Sequence, residues 1–158
     1  MLNKVRNLRE LKIIVNRLKK QHKTIVFTNG CFDLIHPGHV SYLEKARQKG
    51  DVLILGLNSD SSVKKIKGKK RPILNQKARA MVLSALTCID YIVIFNETTP
   101  INLIRALKSD IIIKGADWKN KGIVGTDLVR AYGGKVSTIK LVKGYSTSNL
   151  IKKIVQRF

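Results

Sequence analysis

Apolar residues recur along this chain in two alternating patterns. Short segments that are apolar along most of their length predict buried strands at residues 24–28, 52–57, 91–95, 111–114 and 135–139. Between them, apolar residues at helical spacing predict helices over residues 38–49, 75–86, 100–107, 126–131 and 147–156. An amphipathic stripe predicts one more helix, residues 3–20, ahead of the first strand.

This alternation predicts the fold class. Strands that are apolar on both faces and separated by helices form a parallel sheet covered on both sides. We therefore expect an α/β fold with a Rossmann-like, doubly wound, five-stranded parallel sheet. The chain has 158 residues, of which 44% are hydrophobic, and is expected to form one domain, residues 1–158. In such a sheet, ligands bind at the carboxyl ends of the strands.

Composition narrows the classes of function. No apolar run approaches the roughly 20 residues that a membrane span needs, and residues 1–9 do not resemble a signal peptide. Cys31 and Cys88 lack the number and spacing of a disulfide framework or a metal site. We expect both to be small buried hydrophobic residues in a cytoplasmic protein.

The formal net charge of +21 raises the question of nucleic-acid binding, because Lys and Arg neutralise phosphates. The basic residues are spread along the chain. They are densest at residues 64–71, where no aromatic side chain is available to stack on bases. We therefore favour small phosphorylated ligands over nucleic acid. We predict that residues 64–71, which include Gly68, form a mobile loop able to close over a ligand.

Two of the three histidines stand at a predicted helix start directly after the first strand. That strand breaks at Gly30, and His36 and His39 flank a Pro-Gly pair. Pro37 suits the first helical position, because its fixed φ fits and its missing N–H would be unpaired there. Free N–H groups and the helix dipole attract anions at such a place. Two imidazoles that donate hydrogen bonds to phosphate oxygens therefore predict a bound phosphate chain.

A second anion site is predicted where the last helix starts. Gly144 and Tyr145 precede three hydroxyl residues, Ser146, Thr147 and Ser148. Any one of them can serve simply as a helix N-cap. The run as a whole, following a glycine, makes a second cradle for phosphate.

Other candidate residues also follow predicted strands. The segment 114–118 could hold a sugar hydroxyl or a base, although a lone Trp more often belongs to a core. Asp33 and Asp60 follow the first two strands, where an aspartate can instead satisfy its own backbone. Arg79 lies one turn into a predicted helix, within reach of the site. Two anion sites among basic side chains, without an evident nucleophile, suit in-line transfer of a nucleotidyl group.

These motifs resemble those of a known family. Residues 28–39 resemble the signature of the cytidylyltransferase-like nucleotidyltransferases, with its His-x-Gly-His box, and residues 144–148 resemble their second phosphate motif. Within that superfamily the chain is most similar to the heptose 1-phosphate adenylyltransferases. Their further hallmarks are found at residues 56–60, 68–72, 90–95, 114–117 and 131–134.

The resemblance implies an enzyme that joins AMP from ATP to D-glycero-D-manno-heptose 1-phosphate, releasing ADP-heptose and pyrophosphate. ADP-heptose would serve synthesis of the lipopolysaccharide core or another surface glycan. Mg²⁺ would accompany ATP, and a homodimer is the family expectation. Similar domains form the C-terminal half of bifunctional proteins that also contain a sugar kinase, and at 158 residues we expect the stand-alone form.

The resemblance also implies roles for individual residues. Catalytic contacts to the phosphates are expected from His36, His39 and Arg79. Nucleotide and phosphate contacts are expected from Thr28, Asn29, Gly30, Phe32, Gly38, Lys114, Gly115, Asp117, Gly144, Tyr145, Ser146, Thr147 and Ser148. The sugar phosphate is expected near Asp33, Asp60, Lys67, Lys69 and Trp118, with Lys67 and Lys69 as alternatives for the lysine of the mobile loop. No residue is expected to bind a metal directly.

Three positions depart from the patterns of related enzymes. The alternatives are glycerol 3-phosphate cytidylyltransferase and another nucleotidyltransferase of the same superfamily. The first of these enzymes has an arginine where this chain has Leu141, and the difference argues against its reaction. Lys143 stands where the heptose enzymes commonly have an acidic residue, and Trp118 where another aromatic is frequent. These two differences concern substrate contacts rather than the reaction class.

Overall fold

The computed structural model describes residues 4–118 and 122–157. Its strands are β1 (Ile25–Gly30), β2 (Val52–Asn58), β3 (Tyr91–Phe95), β4 (Ile111–Gly115) and β5 (Lys135–Ile139). Its helices are α1 (Leu8–Lys20), α2 (Pro37–Arg47), α3 (Asp60–Lys67), α4 (Gln76–Ser84), α5 (Ile101–Leu107), α6 (Thr126–Ala131) and α7 (Thr147–Arg157). A 3₁₀ turn, Ala116–Trp118, follows β4. Within the described ranges, no helix is long and apolar enough to cross a membrane.

The five strands are all parallel and lie in the order β3-β2-β1-β4-β5. This confirms the predicted five-stranded parallel sheet. The chain builds outward from β1 to β3, then returns to the other side of β1 for β4 and β5. The carboxyl ends of β1 and β4 therefore flank a topological switch point, where α/β sheets form a crevice for ligands.

Alternation of side chains along the strands gives the sheet two distinct covered faces. Val26 of β1 and Ile113 of β4 pack in a cluster with residues of α2 and α4, on what we call the α2 face. Phe27 and Ile112, their neighbours in sequence, pack with residues of α1, α5 and α6, on the α5 face. The helices thus lie on both faces, as predicted.

The first helix is shorter than predicted. It begins at Leu8 because Asn7 caps it: the Asn7 side chain accepts a hydrogen bond from the Glu10 N–H (2.9 Å), and the Glu10 carboxylate accepts one from the Asn7 N–H (3.1 Å). Ahead of the cap, Val5 pairs with Ile92 of β3. Residue 3 lies outside the described residues.

The prediction of a loop over residues 64–71 is wrong for its first half. Residues 64–67 belong to α3, which begins after Ser59, whose side chain accepts a hydrogen bond from the Ser62 N–H (3.2 Å). Val63 anchors this short helix in the interior, while its lysines are exposed. Gly68, at φ +93°, ends the helix in a conformation that favours glycine. The other predicted elements are found within two residues of their predicted ends.

Candidate functional site

A cavity of about 540 Å³ opens at the carboxyl ends of β1 and β4. Most of the predicted site residues line it, although they come from separate parts of the sequence. They are Asn29, Gly30, Phe32, Asp33, His36, Gly38, His39, Lys67, Lys114, Gly115, Asp117, Trp118, Tyr145, Ser146, Thr147 and Ser148. The structure thus brings the histidine segment and the hydroxyl segment to one place.

The start of α2 fixes the orientation of His36. Its backbone is extended (φ −143°, ψ 165°), Pro37 occupies the first helical position, and Nδ1 of His36 accepts a hydrogen bond from the His39 N–H (3.3 Å). With Nδ1 used as an acceptor, the neutral ring carries its proton on Nε2. His36 therefore presents an N–H donor for a ligand.

His39 stacks on His36, with ring centroids 3.7 Å apart and planes inclined by 18°. Burial, together with the neighbouring His36, lowers the pKa of His39 to about 4, and burial also lowers the pKa of His36. Both rings are therefore neutral at pH 7. A bound anion would raise both pKa values, so the pair can gain positive charge when a phosphate arrives.

Phe32 supports the histidine pair from a strained backbone position. Its φ of 45° lies in the left-handed region, which a bulky residue rarely adopts. The Phe32 ring lies 5.1 Å from the His39 ring, centroid to centroid. A Cβ on Gly30 would stand 2.8 Å from Cε2 of Phe32, so the close approach of this ring requires glycine.

The second phosphate motif meets the first at Gly38. A Cβ on Gly38 would stand 3.1 Å from both the His36 ring and Cβ of Tyr145. Ser146 caps α7, because its Oγ accepts a hydrogen bond from the Asn149 N–H (3.1 Å). We call His36, Gly38, His39 and residues 146–148 the phosphate cradle. It combines two helix N-termini, two imidazoles and the hydroxyls of residues 147 and 148.

A buried ammonium group lies elsewhere on the wall. Nζ of Lys114 donates hydrogen bonds to Oδ1 and to the main-chain oxygen of Asn29, the latter at 3.3 Å. Lys114 is only 9% exposed, and Nζ lies 5.5 Å from the centroid of the Trp118 ring. Burial lowers the pKa of Lys114 to about 8, against the raising effects of Cys31 and Asp117. The group thus remains largely charged at pH 7.

Arg79, expected to contact the phosphates, does not line the cavity. It is 0% exposed and donates to the carbonyl oxygens of Cys31 (2.6 Å), Asn58 (2.8 Å) and Leu74 (3.0 Å). Its remaining bond, of 2.7 Å, is an ion pair with Asp60, which is likewise absent from the wall. Arg79 therefore ties the ends of β1 and β2 to the segment that precedes α4.

Asp33 lines the cavity, but its carboxylate, like the guanidinium group of Arg79, connects separate segments of the chain. Its carboxylate, 1% exposed, accepts hydrogen bonds from Nε of Arg71 (2.5 Å) and from the N–H groups of Ile73 (2.8 Å) and Leu74 (3.0 Å). Burial alone would raise the pKa of Asp33, but these hydrogen bonds and the Arg71 charge outweigh it and lower the pKa. Asp33 thereby fixes the segment before α4 against the histidine segment.

Three other predicted residues lie away from the wall: Thr28, Lys69 and Gly144. Thr28 is buried, and its hydroxyl lies 2.7 Å from the Tyr42 hydroxyl, which anchors α2 to β1. Of the two alternative lysines, Lys67 lines the cavity and Lys69 does not.

The two cysteines are half-buried rather than buried as expected, and Cys31 lies on the cavity wall. The sequence signal that could have identified Cys31 is its position between Gly30 and Phe32, inside the histidine segment.

Within residues 4–118 and 122–157, no group of three or more His, Cys, Asp or Glu side chains could hold a metal ion. Mg²⁺ that arrives on a triphosphate needs few protein ligands, since it binds substrate phosphates, water and one or two carboxylates. Asp117 supplies a carboxylate on the wall, whereas that of Asp33 is engaged by Arg71. The donor set therefore fits a phosphate-borne Mg²⁺.

Comparison with known proteins places this geometry in context. A model of the family described as "Cytidylyltransferase-like" matches residues 27–153. Among curated relatives, "Bifunctional protein HldE" of Pelobacter propionicus is 51% identical over 156 residues, covering 99% of this chain and 32% of the relative. The protein of the same name from Helicobacter pylori is 51% identical over 144 residues, covering 91% and 30%. The chain thus spans about a third of the length of the curated relatives it matches.

Two solved structures resemble the fold. A lipopolysaccharide core biosynthesis protein from Thermoplasma volcanium is 26% identical with a TM-score of 0.62, covering 78% of this chain and 99% of that protein. A pantoate-beta-alanine ligase from Francisella tularensis, complexed with beta-gamma ATP and beta-alanine, has the same TM-score at 16% identity, covering 96% and 78%. At that identity the second likeness concerns the fold alone.

Proposed function

This chain belongs to the cytidylyltransferase-like family, and we propose that it transfers AMP from ATP to D-glycero-D-manno-heptose 1-phosphate, forming ADP-heptose and pyrophosphate. ADP-heptose would serve synthesis of the lipopolysaccharide core or another surface glycan. The observation that carries the proposal is the phosphate cradle, in which two helix N-termini meet at Gly38 beside a pair of stacked imidazoles.

The cradle suits the leaving end of a nucleoside triphosphate. Its donors are the main-chain N–H groups of Gly38, Thr147 and Ser148, the hydroxyls of residues 147 and 148, and the ring N–H groups of the two histidines. Negative charge builds on the departing pyrophosphate in the transition state. Donors fixed in advance then bind more strongly than in the ground state, which accelerates the reaction.

We propose direct attack on the α-phosphorus without a covalent enzyme intermediate. An oxygen of the acceptor phosphate forms the new bond to phosphorus, the bond to the α,β-bridging oxygen breaks, and pyrophosphate leaves with the bonding electrons. Cys31 is a poor nucleophile here, because burial raises the pKa of its thiol despite the lowering effects of Lys67, Arg79 and Arg71. The protein's contribution is then position and charge.

Mg²⁺ entering with ATP would neutralise charge on the transferring phosphates, with Asp117 as the wall carboxylate available to it. Arg79, Asp33 and Asp60 would act as positioning residues, since their hydrogen bonds hold the strand ends and the segment before α4. Lys67 and Trp118, both on the wall, would lie on the sugar side.

The heptose substrate is supported by two observations. Identity of about 50% with bifunctional relatives extends over nearly the whole chain, and the motifs resemble the adenylyltransferase part of such proteins. The Thermoplasma volcanium protein of similar structure is described as a lipopolysaccharide core biosynthesis protein, which is in line with this product. We further propose a cytoplasmic reaction and a homodimer, which sedimentation would detect as twice the 17.8 kDa of the chain.

The test is pyrophosphate release over a grid of ATP, CTP, GTP and UTP against heptose 1-phosphate, other sugar 1-phosphates and glycerol 3-phosphate. We expect ATP with heptose 1-phosphate to give the highest kcat/KM. A best pair of CTP with glycerol 3-phosphate would contradict the proposed substrates. Absence of pyrophosphate release from every pair would contradict the reaction class, and a trapped nucleotidyl-enzyme would contradict direct attack.

A further inference from the structure

We infer that Lys114, held by Asn29, binds the phosphate of the acceptor, on the opposite side of the reacting phosphorus from the phosphate cradle. The sequence led us to expect Lys114 beside the nucleotide; three features of the structure favour the acceptor instead. The inference rests on the proposed function, because it names the second substrate's phosphate site in the same cavity.

The first feature is a buried cation that feels the charge of Asp117 but forms no ion pair with it. Lys114 is 9% exposed, and no carboxylate of the described residues lies within ion-pair distance of it. Its two hydrogen bonds both go to Asn29, a neutral residue. An ammonium group has three N–H donors, and buried charges are normally paired. A ligand anion in the cavity supplies the missing partner.

The second feature is the face of the sheet on which Lys114 lies. Side chains alternate along a strand, so Lys114 shares a face with Ile112, and Asn29 shares one with Phe27. Ile112 and Phe27 both pack on the α5 face. The histidines begin α2 instead, and Thr28, one residue before Asn29, contacts Tyr42 of α2. Lys114 and the phosphate cradle thus approach the cavity from opposite faces.

In-line displacement gives this separation a chemical meaning. The attacking and leaving oxygens lie on opposite sides of the phosphorus. With pyrophosphate in the cradle on the α2 side, the acceptor phosphate must approach from the other side. Lys114 on the α5 face is placed to meet it there.

The third feature is the set of charged side chains on the wall. Lys67, Arg71 and Lys114 line the cavity together with the carboxylates of Asp33 and Asp117. Arg71 is already paired with Asp33 at 2.5 Å. Among the described residues of the wall, Lys67, which is exposed, and Lys114, which is buried, are the Lys or Arg side chains without an ion pair and thus able to bind a phosphate dianion.

The experiment compares wild type with Lys114→Met, which keeps length and removes charge, and with Lys114→Arg, which keeps charge. For Lys114→Met we expect KM for the sugar 1-phosphate to rise by about 10- to 100-fold, the worth of a hydrogen bond to a charged group. KM for ATP should change less than about threefold, because a change of that size is too small to indicate a direct contact between Lys114 and ATP. Lys135→Met, at the exposed amino end of β5, is the charge-matched control and should behave as wild type.

Two kinetic outcomes overturn the inference. One is a rise in KM for ATP with KM for the acceptor unchanged. The other is an equal effect of Lys135→Met. Partial recovery of the acceptor KM in Lys114→Arg supports it, because the retained charge, not the fold, would then account for binding.

A binding measurement separates this inference from the proposed function. With the cradle saturated by pyrophosphate, calorimetric titration of inorganic phosphate should show weaker binding to Lys114→Met than to wild type. Equal binding by the two proteins, including none by either, overturns the inference even when the enzyme turns over normally. Failure of the proposed function shows instead as no pyrophosphate release from any substrate pair, and it leaves the phosphate titration interpretable.

Discussion

The two ends of the cavity differ in the charge of the groups that line them. The phosphate cradle is built from groups that are neutral at pH 7: stacked imidazoles, hydroxyls and main-chain N–H groups. The opposite corner holds a buried ammonium group, Lys114. Neutral donors bind most strongly when charge develops on the ligand and weaken when it departs. A permanent charge holds an anion throughout. In the proposed reaction, this difference suits the cradle to the pyrophosphate that leaves and Lys114 to the acceptor phosphate that must be held.

Removing a cradle imidazole should have the largest effect. We expect His39→Ala to lower kcat by at least ~100-fold, comparable to the loss of one oxyanion donor, with little change in KM for the acceptor. His22→Ala, which changes the one histidine outside the site, is the control. Steady-state pyrophosphate release measures both. Near-normal turnover by His39→Ala would contradict the proposed role of the phosphate cradle in stabilising the transition state.

Acid should destabilise the fold through the same imidazole. The pKa of His39 is about 4 in the folded protein, below its ordinary 6.5, so the unfolded state binds more protons between these values. Stability is then fully present above pH 6.5 and is lost as pH falls through 4, by up to about 3 kcal/mol. Urea unfolding across this range should show a shallower loss for His39→Ala. If the free energy of unfolding falls equally with pH in wild type and His39→Ala, groups other than His39 cause the acid destabilisation.

Alkali should act on the other end of the cavity. Because the pKa of Lys114 is about 8, the ammonium group loses its proton above that pH. KM for the acceptor should then rise about tenfold per pH unit, while KM for ATP follows a separate profile. Initial rates at pH 7 to 9.5 test this. The same alkaline limb in Lys114→Met would show that another group titrates.

The smallest effect concerns stability at the Lys114 corner. A folded pKa of about 8 against an ordinary 10.5 means that the folded state disfavours the charged amine. The contribution of the neutral Lys114 amine to the free energy of unfolding is fully present above pH 10.5 and is lost as pH falls through 8. At pH 7 the buried charge therefore destabilises the fold. The pKa shift corresponds to about 3 kcal/mol, and Lys114→Met also loses the two hydrogen bonds to Asn29, worth about 1 kcal/mol each. Lys114→Met should therefore raise the free energy of unfolding by about 1 kcal/mol. Chemical denaturation at pH 7 measures it, and a clear loss of stability would indicate a structural role instead.

Features encoded locally could be predicted from the sequence. Apolar periodicity gives the strands, and Pro37 with its flanking histidines marks the start of α2. Ser146 to Ser148 were equally visible, although only the structure shows that Ser146 serves as the cap. The parallel sheet then brings both segments to one edge.

Features that depend on distant partners could not be predicted. Arg79 looks like a ligand-binding side chain in the sequence, but its partners are carbonyl oxygens at residues 31, 58 and 74, contributed by three separate segments. Asp33 likewise binds residues about 40 positions away. Helix α3 was missed because few apolar residues mark so short a segment among lysines.

Strand alternation makes the cavity sensitive to the length of β4. Tyr42 donates a hydrogen bond of 3.1 Å to the Ile113 carbonyl, and the side chains before and after that residue turn to the opposite face. Deleting one residue upstream of Lys114 within β4 would invert the parity of the strand and carry its ammonium group to the face that α2 covers. A relative with an odd-numbered insertion or deletion in this strand would therefore lose the contact that we propose between this lysine and the acceptor phosphate, while retaining every residue of its histidine motif.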